Sequence, residues 1–508
     1  MEHMNKSLET ASSQAEGVSA DYTVDRLSNA PPEVAHHILA FLDFRDLIRL
    51  GSVSKMCRVF SLSAPSLEVS SSEAGNRRQQ LNLLNSIDRY MIHRGDDKIK
   101  HFLVDWSFSA GISEEVFRMM TWIRIAVRCN VEVLELRLWA PELNRIESDG
   151  TVLELPSCVY CCESLRSLLI KTQTILKAPS VTCSNNLQYL KLTNVRMEDG
   201  FGKWISHSCK CIKELLLFDV RVLSFTVESS SLESFSFVSM YNNDLCHIGI
   251  SGEKLTKIRI EWEFYKTSSG TTRSLNISAP NLKYLKWIGN LLNYQNLGKF
   301  MCLEKAHIFL KHKGDDYDFD NAFEVLCSLC RVKVLILSEE TTKVLLREGL
   351  VHAPLDDITY LSMHIMSLTD DLVPAMVSLL RGMPNLSTLY IKSYPSLHIG
   401  KPKACGFKSK YWKSHKLDCV HQLQDVSIAL STGYINNALD LVRYILENAS
   451  NLKQMIIFYL PRQSYVIGRV NKFKKISSAI VVFKERELND DGVMGKSYHR
   501  VLNRLHWL

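Results

Sequence analysis

A short apolar pattern recurs along most of this chain and limits what the chain can fold into. The pattern is apolar-x-x-apolar-x-apolar, and a weak copy at Ile99, Phe102 and Val104 precedes a long series of clear ones. The clear copies begin at Val131, Leu165, Leu187, Ile212, Leu232, Leu255, Leu282, Leu303, Val332, Ile358, Leu386, Leu423 and Leu452. Their mean spacing of about 27 residues is a repeat period, which favours stacked copies of one structural unit over separate domains.

The spacing within each copy predicts a short strand. Its last two apolar positions are two residues apart, so both point into the core while the residue between them faces outward. One strand with its return cannot bury its own apolar face, so neighbouring copies must stack. A period of roughly 20 to 29 residues is typical of leucine-rich repeats. We predict an α/β fold, a curved leucine-rich-repeat solenoid with a parallel concave sheet; unrelated strands of an α/β domain explain the recurrence less well.

The gaps between copies are irregular, which favours short variable turns with occasional helices, such as "GFGKWISHSC" and "NALDLVRYILENA".

Residues 25 to 62 have a different pattern, which predicts three short helices after Pro31 and Pro32. The first carries Val34, Ile38, Leu39, Phe41 and Leu42, the second Leu47, Ile48 and Leu50, and the third Val53, Met56, Val59 and Phe60. About 38 residues are too few for a well-buried core of their own. Another body, either the solenoid or a partner, must cover part of their apolar surface.

These helices resemble an F-box, the module that docks adaptor proteins onto a Skp-type linker of a cullin ubiquitin ligase. The matching landmarks are Ala30-Pro31, Ile38-Leu39, Asp46-Leu47 and Val53-Ser54-Lys55, and Cys57 stands where the family usually has tryptophan. The resemblance implies a three-helix fold and linker contacts by Pro31, Ile38, Leu39, Leu42, Leu47, Leu50 and Val53. The alternative is a helical cap that seals the first repeat.

The carboxy-terminal part resembles the FBD module of plant F-box and leucine-rich-repeat proteins. Its landmarks are Trp412, Cys419, Leu423-x-x-Val426-x-Ile428, the run from Leu441 to Asn448-Ala449, Leu452-x-x-Met455-x-Ile457 and the strand-like run 473–483. These assignments divide the chain into a disordered tail (1–22), the F-box (23–65), linker helices (66–98), the solenoid (99–400), an FBD module continuing the solenoid (401–485) and a C-terminal tail (486–508).

The sequence offers little for catalysis. Phosphate-binding glycine loops, His-Glu-x-x-His and Gly-x-Ser-x-Gly are absent. Cys327-x-x-Cys330 and Cys158-x-x-Cys161-Cys162 have ligand-like spacing, but no second set completes a site, so core packing is favoured over a metal. We expect neither an enzyme nor a cofactor. We also expect free thiols, no membrane span and a cytoplasmic or nuclear location, because no apolar run or export signal appears.

The net charge of +7 names no partner, but Lys401, Lys403, Lys408, Lys410, Lys413 and Lys416 form one basic insertion with interleaved aromatic residues. It could hold a phosphorylated ligand or nucleic acid, although a solvated loop anchored by its aromatic residues is favoured.

We interpret the chain as a substrate-recognition adaptor of a Skp–cullin–F-box ubiquitin ligase, binding the Skp-type linker, through it a cullin, and an unknown target protein. Outward-facing strand residues are the candidate target contacts: Glu135, Arg137, Lys191, Arg259 and Lys286. The alternatives are a ligase-independent scaffold or inhibitor and, ranked lower, a nucleic-acid binder.

Overall fold

The computed structural model describes residues 31–108, 112–139, 152–180, 185–240, 244–264, 272–311, 319–346, 355–393, 409–415, 417–431 and 434–486. The apolar repeat positions form its core. In the first clear copy Val131, Leu134 and Leu136 are fully buried, whereas Glu135 between them is not. The predicted disordered tail and most of the C-terminal tail lie outside the described residues.

The described strands run in chain order from β1 to β23. They are β1 Ser66–Ser70, β2 His101–Ser107, β3 Val133–Trp139, β4 Val152–Leu153, β5 Ser167–Thr172, β6 Ile175–Leu176, β7 Tyr189–Thr193, β8 Arg196–Met197, β9 Glu214–Phe218, β10 Ser224–Glu228, β11 Ser234–Met240, β12 His247–Ser251, β13 Lys257–Glu263, β14 Ser274–Ser278, β15 Tyr284–Asn290, β16 Tyr294–Asn296, β17 Lys305–Lys311, β18 Val334–Ser338, β19 Tyr360–Ile365, β20 Thr388–Ser393, β21 Asp425–Ala429, β22 Gln454–Tyr459 and β23 Ile480–Glu485.

The described helices lie between these strands or before the first of them. They are α1 Pro32–Leu39, α2 Phe44–Gly51, α3 Lys55–Leu62, α4 Arg77–His93, α5 Ile112–Arg128, α6 Ser157–Tyr160, α7 Phe201–Ser208, α8 Phe319–Ser328, α9 Glu339–Leu345, α10 Leu372–Arg381, α11 Ser409–Ser414, α12 Ile435–Asn448 and α13 Tyr465–Val470. Helices α7 and α12 confirm the two helices predicted between repeat strands. Within the part of the chain that the structure describes, no helix is both long enough and apolar enough to cross a bilayer.

One parallel sheet of 16 strands confirms the solenoid, and its spatial order follows the chain: β1-β2-β3-β5-β7-β9-β11-β13-β15-β17-β18-β19-β20-β21-β22-β23. Every copy of the apolar pattern, including the weak one at Ile99, supplies one of these strands. Two smaller parallel sheets, β4-β6-β8 and β10-β12-β14-β16, form a second layer behind it. Strands β21 to β23, from the FBD-like segment, continue the same sheet.

The sheet starts earlier than the sequence indicates. Residues 66–98 were expected to be linker helices, but Ser66–Ser70 form β1, which pairs in parallel with β2. Leu67 and Val69 of this strand are buried, and the fully buried Ala64 fills the first apolar position of the repeat pattern with a small side chain. The helix α4 then returns the chain to β2, as in an ordinary strand-and-return unit.

Side chains on the concave face meet across the central strands. Phe309 on β17 and His364 on β19 are separated by β18, yet their ring centroids are only 5.3 Å apart. The buried concave-face side chains of this region are Ser236, Val238, Glu261, Lys286, Ile288, Phe309, Ser362 and His364.

Candidate functional site

The amino-terminal helical unit, residues 31–62, consists of three eight-residue helices; the first begins at a proline, and side-chain caps begin the other two. The Asp43 carboxylate accepts a hydrogen bond from the Asp46 backbone N–H at 2.8 Å and begins α2. The Ser54 hydroxyl accepts one from the Cys57 N–H at 3.0 Å and begins α3. Helices this short are marginal alone, so packing must hold them in place.

One side of this unit is built into the solenoid core. Leu39, Phe44 and Leu47 are fully buried and belong to the same apolar cluster as Leu67 of β1 and Tyr90 of α4. The helical unit therefore covers the first strand of the sheet.

Two buried hydroxyls reinforce this attachment. Tyr90 donates a hydrogen bond to the Ser61 carbonyl, and the Ser61 hydroxyl donates one to the Leu47 carbonyl at 2.6 Å. Burial raises the pKa of Tyr90 to about 12, so its hydroxyl stays protonated and can donate at any physiological pH. Helices α2, α3 and α4 are thus joined by directional bonds as well as by apolar contact.

The other side of the unit presents large apolar side chains to solvent. Those of α1 follow helical spacing, and those near α3 recur every third residue. Their exposed fractions are 49% for Val34, 45% for Ile38, 77% for Phe41, 74% for Val53, 48% for Met56 and 61% for Val59. A concentration of exposed apolar side chains on so small a unit marks a binding surface. We call these six residues the apolar docking face.

The predicted linker contacts divide into three groups. Pro31, Ile38 and Val53 are exposed, and Leu42 and Leu50 are half-buried. Leu39 and Leu47 differ from the prediction: both have no exposed surface, because they belong to the apolar core. A partner cannot reach these two side chains in this structure, and their role is to support the helices from inside.

The sequence-based choice omitted four exposed members of the apolar docking face, namely Val34, Phe41, Met56 and Val59. Helical periodicity grouped them with their helices, but it could not tell which side of each helix turns toward the solenoid. Cys57, at the position where the family usually has tryptophan, is 4% exposed and faces inward.

A second surface lies on the concave face near the amino-terminal end of the sheet. Glu135, Arg137 and Lys191 line one depression of about 470 Å³ that spans β3, β5, β7 and β9. Leu169 and Phe218 contribute apolar surface to it. The structure therefore brings three of the five candidate target contacts together.

The other two candidate target contacts lie farther along the sheet and are engaged within the chain. The Arg259 guanidinium and the Lys286 ammonium each lie 2.8 Å from the same carboxylate oxygen of Glu261. Burial lowers the pKa of Lys286, while Glu261 acts in the opposite direction. These two cations neutralise Glu261, and their side chains are only slightly accessible to a ligand.

The basic insertion falls largely outside the described residues, which include neither Lys401, Lys403, Lys408 nor Lys416. Trp412 is fully buried and stacks on Tyr444 of α12, with ring centroids 6.2 Å apart. Lys413 forms an ion pair with Glu447 at 2.8 Å. These contacts anchor the end of the insertion to the last repeats.

The cysteines of the two ligand-like motifs are free thiols. Burial raises the pKa of Cys158 and Cys327. Over the described ranges, no group of three or more His, Cys, Asp or Glu side chains is arranged to hold a metal ion.

Comparison with known proteins agrees with this geometry. Residues 28–67 match the family model of the F-box domain. An F-box/LRR-repeat protein of Arabidopsis thaliana is 23% identical over 86% of this chain and 88% of its own length, and a second is 25% identical over 86% and 89%. An F-box/FBD/LRR-repeat protein of the same plant is 22% identical over 85% of this chain and 89% of its own.

Proposed function

We propose that this chain, which carries an F-box domain and has plant F-box/LRR-repeat and F-box/FBD/LRR-repeat homologues over most of its length, is a substrate-recognition adaptor of a Skp–cullin–F-box ubiquitin ligase. The apolar docking face binds the Skp-type linker, and the linker joins the chain to a cullin. The concave face of the solenoid binds the target protein.

The observation that carries this proposal is the two-sided burial of the helical unit. Leu39 and Leu47 hold the unit on the solenoid, while Phe41 and Val53 remain more than 70% exposed on the other side. Burying large apolar side chains is worth about 1.5 to 3 kcal/mol each before the costs of association. Six such residues are enough to support a stable interface.

The alternative, a ligase-independent scaffold or inhibitor, uses the helical unit as a cap. Burial of Leu39, Phe44 and Leu47 over β1 supports capping. A cap, however, needs only the buried side and gives no reason for the exposed apolar docking face. The ligase role accounts for both sides of the unit.

In this role the chain performs no bond-breaking step itself. It raises the effective concentration of the target near a ubiquitin-charged enzyme carried elsewhere in the assembly. Rigid attachment of the helical unit to the sheet matters, because a target held at a fixed position loses less entropy on transfer.

Co-purification tests the proposal. Wild-type chain is expected to retain a Skp-type linker and a cullin, and the double variant Phe41→Lys/Val59→Lys is expected to lose both. The matched control is Ile92→Lys/Phe117→Lys, which places the same charges at residues 71% and 68% exposed on α4 and α5. Failure of the wild type to retain either protein would reject the ligase role.

A further inference from the structure

Cations on the concave face are mostly paired with carboxylates of the same chain. Arg137 lies 2.7 Å from Glu135, and the Lys311 ammonium lies 3.1 Å from Glu263. Arg259 and Lys286 share Glu261. These pairs leave little net charge for a ligand.

Lys171 on β5 and Lys191 on β7 differ from these cations. Among the residues that the structure describes, neither ammonium forms an ion pair with a carboxylate. Each instead lies over an aromatic ring: Lys171 is 4.5 Å from the ring centroid of Trp139, and Lys191 is 5.7 Å from that of Phe218. A ring face holds a cation in place without neutralising its charge.

The two lysines line the same depression on adjacent strands. Lys191 pairs in register with Leu169, and Lys171 with Thr193, so the ammonium groups occupy successive rows of one small surface. The depression of about 470 Å³ has the size of a site for several side chains, and Leu169 and Phe218 supply apolar surface beside the charges.

We infer that this depression binds an acidic segment of the target protein, with two carboxylates held by Lys171 and Lys191 and an adjacent apolar side chain on Leu169 and Phe218. The inference rests on the proposed function, in which the concave face receives the target. Beyond that function, the inference specifies the chemical character of the target segment that is bound.

Two carboxylates of the chain also line the depression, Glu135 and Asp219. They offset part of the positive charge of Arg137, Lys171 and Lys191, whereas a nucleic acid needs a continuous positive surface. A pair of lysines bordered by acids instead matches a short segment with a limited number of carboxylates. Complementary charge of this kind selects partners as much as it adds affinity.

The test uses the full chain co-expressed with a Skp-type linker, and a phage-displayed library of random peptides of about ten residues, which is enough to cross four strands. Selected peptides are expected to be enriched in Asp and Glu together with aliphatic or aromatic residues. A selected peptide is then synthesised with a fluorescent label, and its affinity is measured by anisotropy.

Lys171→Glu/Lys191→Glu is expected to lower the affinity for that peptide at least about tenfold. Replacing the acidic residues of the peptide by Asn and Gln is expected to have the same effect. Lys171→Gln/Lys191→Gln, which removes both charges without reversing them, is expected to give a smaller loss in the same direction. The matched control Lys203→Glu/Lys210→Glu changes one lysine on α7 and one just after it, both outside the depression, and is expected to leave the affinity unchanged.

Selection of peptides without acidic residues, or equal binding by the depression and control variants, would overturn the inference. The inference would also be overturned if polyuridylate RNA bound more tightly than the peptide and if RNA binding depended on Lys171 and Lys191 as well. Linker retention is read in the same samples. If the chain keeps the linker but selects no acidic peptide, the proposed function stands and this site is rejected. If the chain selects acidic peptides but does not keep the linker, the ligase role is rejected and the site is supported.

Discussion

The Phe44 ring of α2 packs edge-on against the Tyr90 ring of α4, with centroids 5.2 Å apart, and this contact joins the F-box helices to the first repeat. Phe44 is 1% exposed, whereas Phe41, three residues earlier, is 77% exposed. Two phenylalanines of one short segment therefore serve different purposes, one in folding and one at the apolar docking face.

Phe44→Ala is expected to reduce the free energy of unfolding by about 3 to 5 kcal/mol, because it empties a closed apolar site. Phe41→Ala is expected to change it by less than about 0.5 kcal/mol but to weaken linker binding. Urea unfolding followed by circular dichroism and linker affinity measured by titration separate the two effects. Equal stability of both variants would contradict the assignment of Phe44 to the core.

Gly289 on β15 is required by a close backbone approach. Its φ is +144°, and a β-carbon there would lie 1.8 Å from the Trp262 carbonyl oxygen on β13. Gly289→Ala is expected to cost about 3 kcal/mol or more in the free energy of unfolding.

The control for this change is Gly468→Ala in α13, where a β-carbon would have no neighbour within 4 Å. Alanine is expected to stabilise that helix by about 0.5 to 1 kcal/mol. Chemical denaturation of the two variants beside wild type measures both changes. A neutral effect at Gly289 would show that the strands can separate without cost.

His307 and His364 make stability depend on pH. Burial, with Lys286 and other nearby cations, lowers the pKa of His307 to about 3, and burial with Lys392 lowers that of His364 to about 4. The unfolded chain, with a histidine pKa near 6.5, binds more protons than the folded chain between these values. The free energy of unfolding therefore has its full value above about pH 6.5 and decreases as the pH drops toward 4.

At pH 5 the loss is expected to be about 2 kcal/mol for each buried histidine relative to pH 7.5. His307→Gln/His364→Gln should flatten that part of the pH profile of the urea midpoint. His93→Gln/His207→Gln, at two exposed histidines, should leave the profile as in the wild type. An unchanged slope in the first variant would contradict the role of the buried pair.

Trp412 anchors the end of the basic insertion through its stacking on Tyr444. Trp412→Ala is expected to cost about 3 to 5 kcal/mol and to increase hydrogen exchange in α12. Lys413→Ala, which removes the neighbouring ion pair with Glu447, is expected to cost less than about 1 kcal/mol because Lys413 is largely exposed. Similar exchange rates in the two variants would argue against anchoring by the tryptophan.

The repeat strands could be predicted from sequence because each has its own local signature. In β3 Leu134 and Leu136 alternate with Glu135, and a strand is the element that places residues two apart on the same face. Strand β1 was missed because the first apolar position of its copy is Ala64, a small residue that is a weaker signal than the larger side chains of the other copies.

The binding surfaces were predicted less completely, because they depend on contacts between distant residues. Ile38 is 45% exposed and Leu39 is not exposed at all, although the two are adjacent and both apolar. Only the packing of α1 against the rest of the core distinguishes them. Likewise the pattern places Arg259 and Lys286 on the outward-facing side of their strands. In the structure both are largely buried and form ion pairs with Glu261.

The shared core of the helical unit and β1 fixes a geometric quantity, the reach of the adaptor. The depression begins at β3, two strands from β1, and ends at β9, five strands from it. At about 4.8 Å per strand, the depression lies roughly 10 to 24 Å along the sheet from the end that carries the helical unit. The distance between the two proposed binding surfaces is therefore short, and each repeat inserted before β3 would lengthen it by one strand spacing.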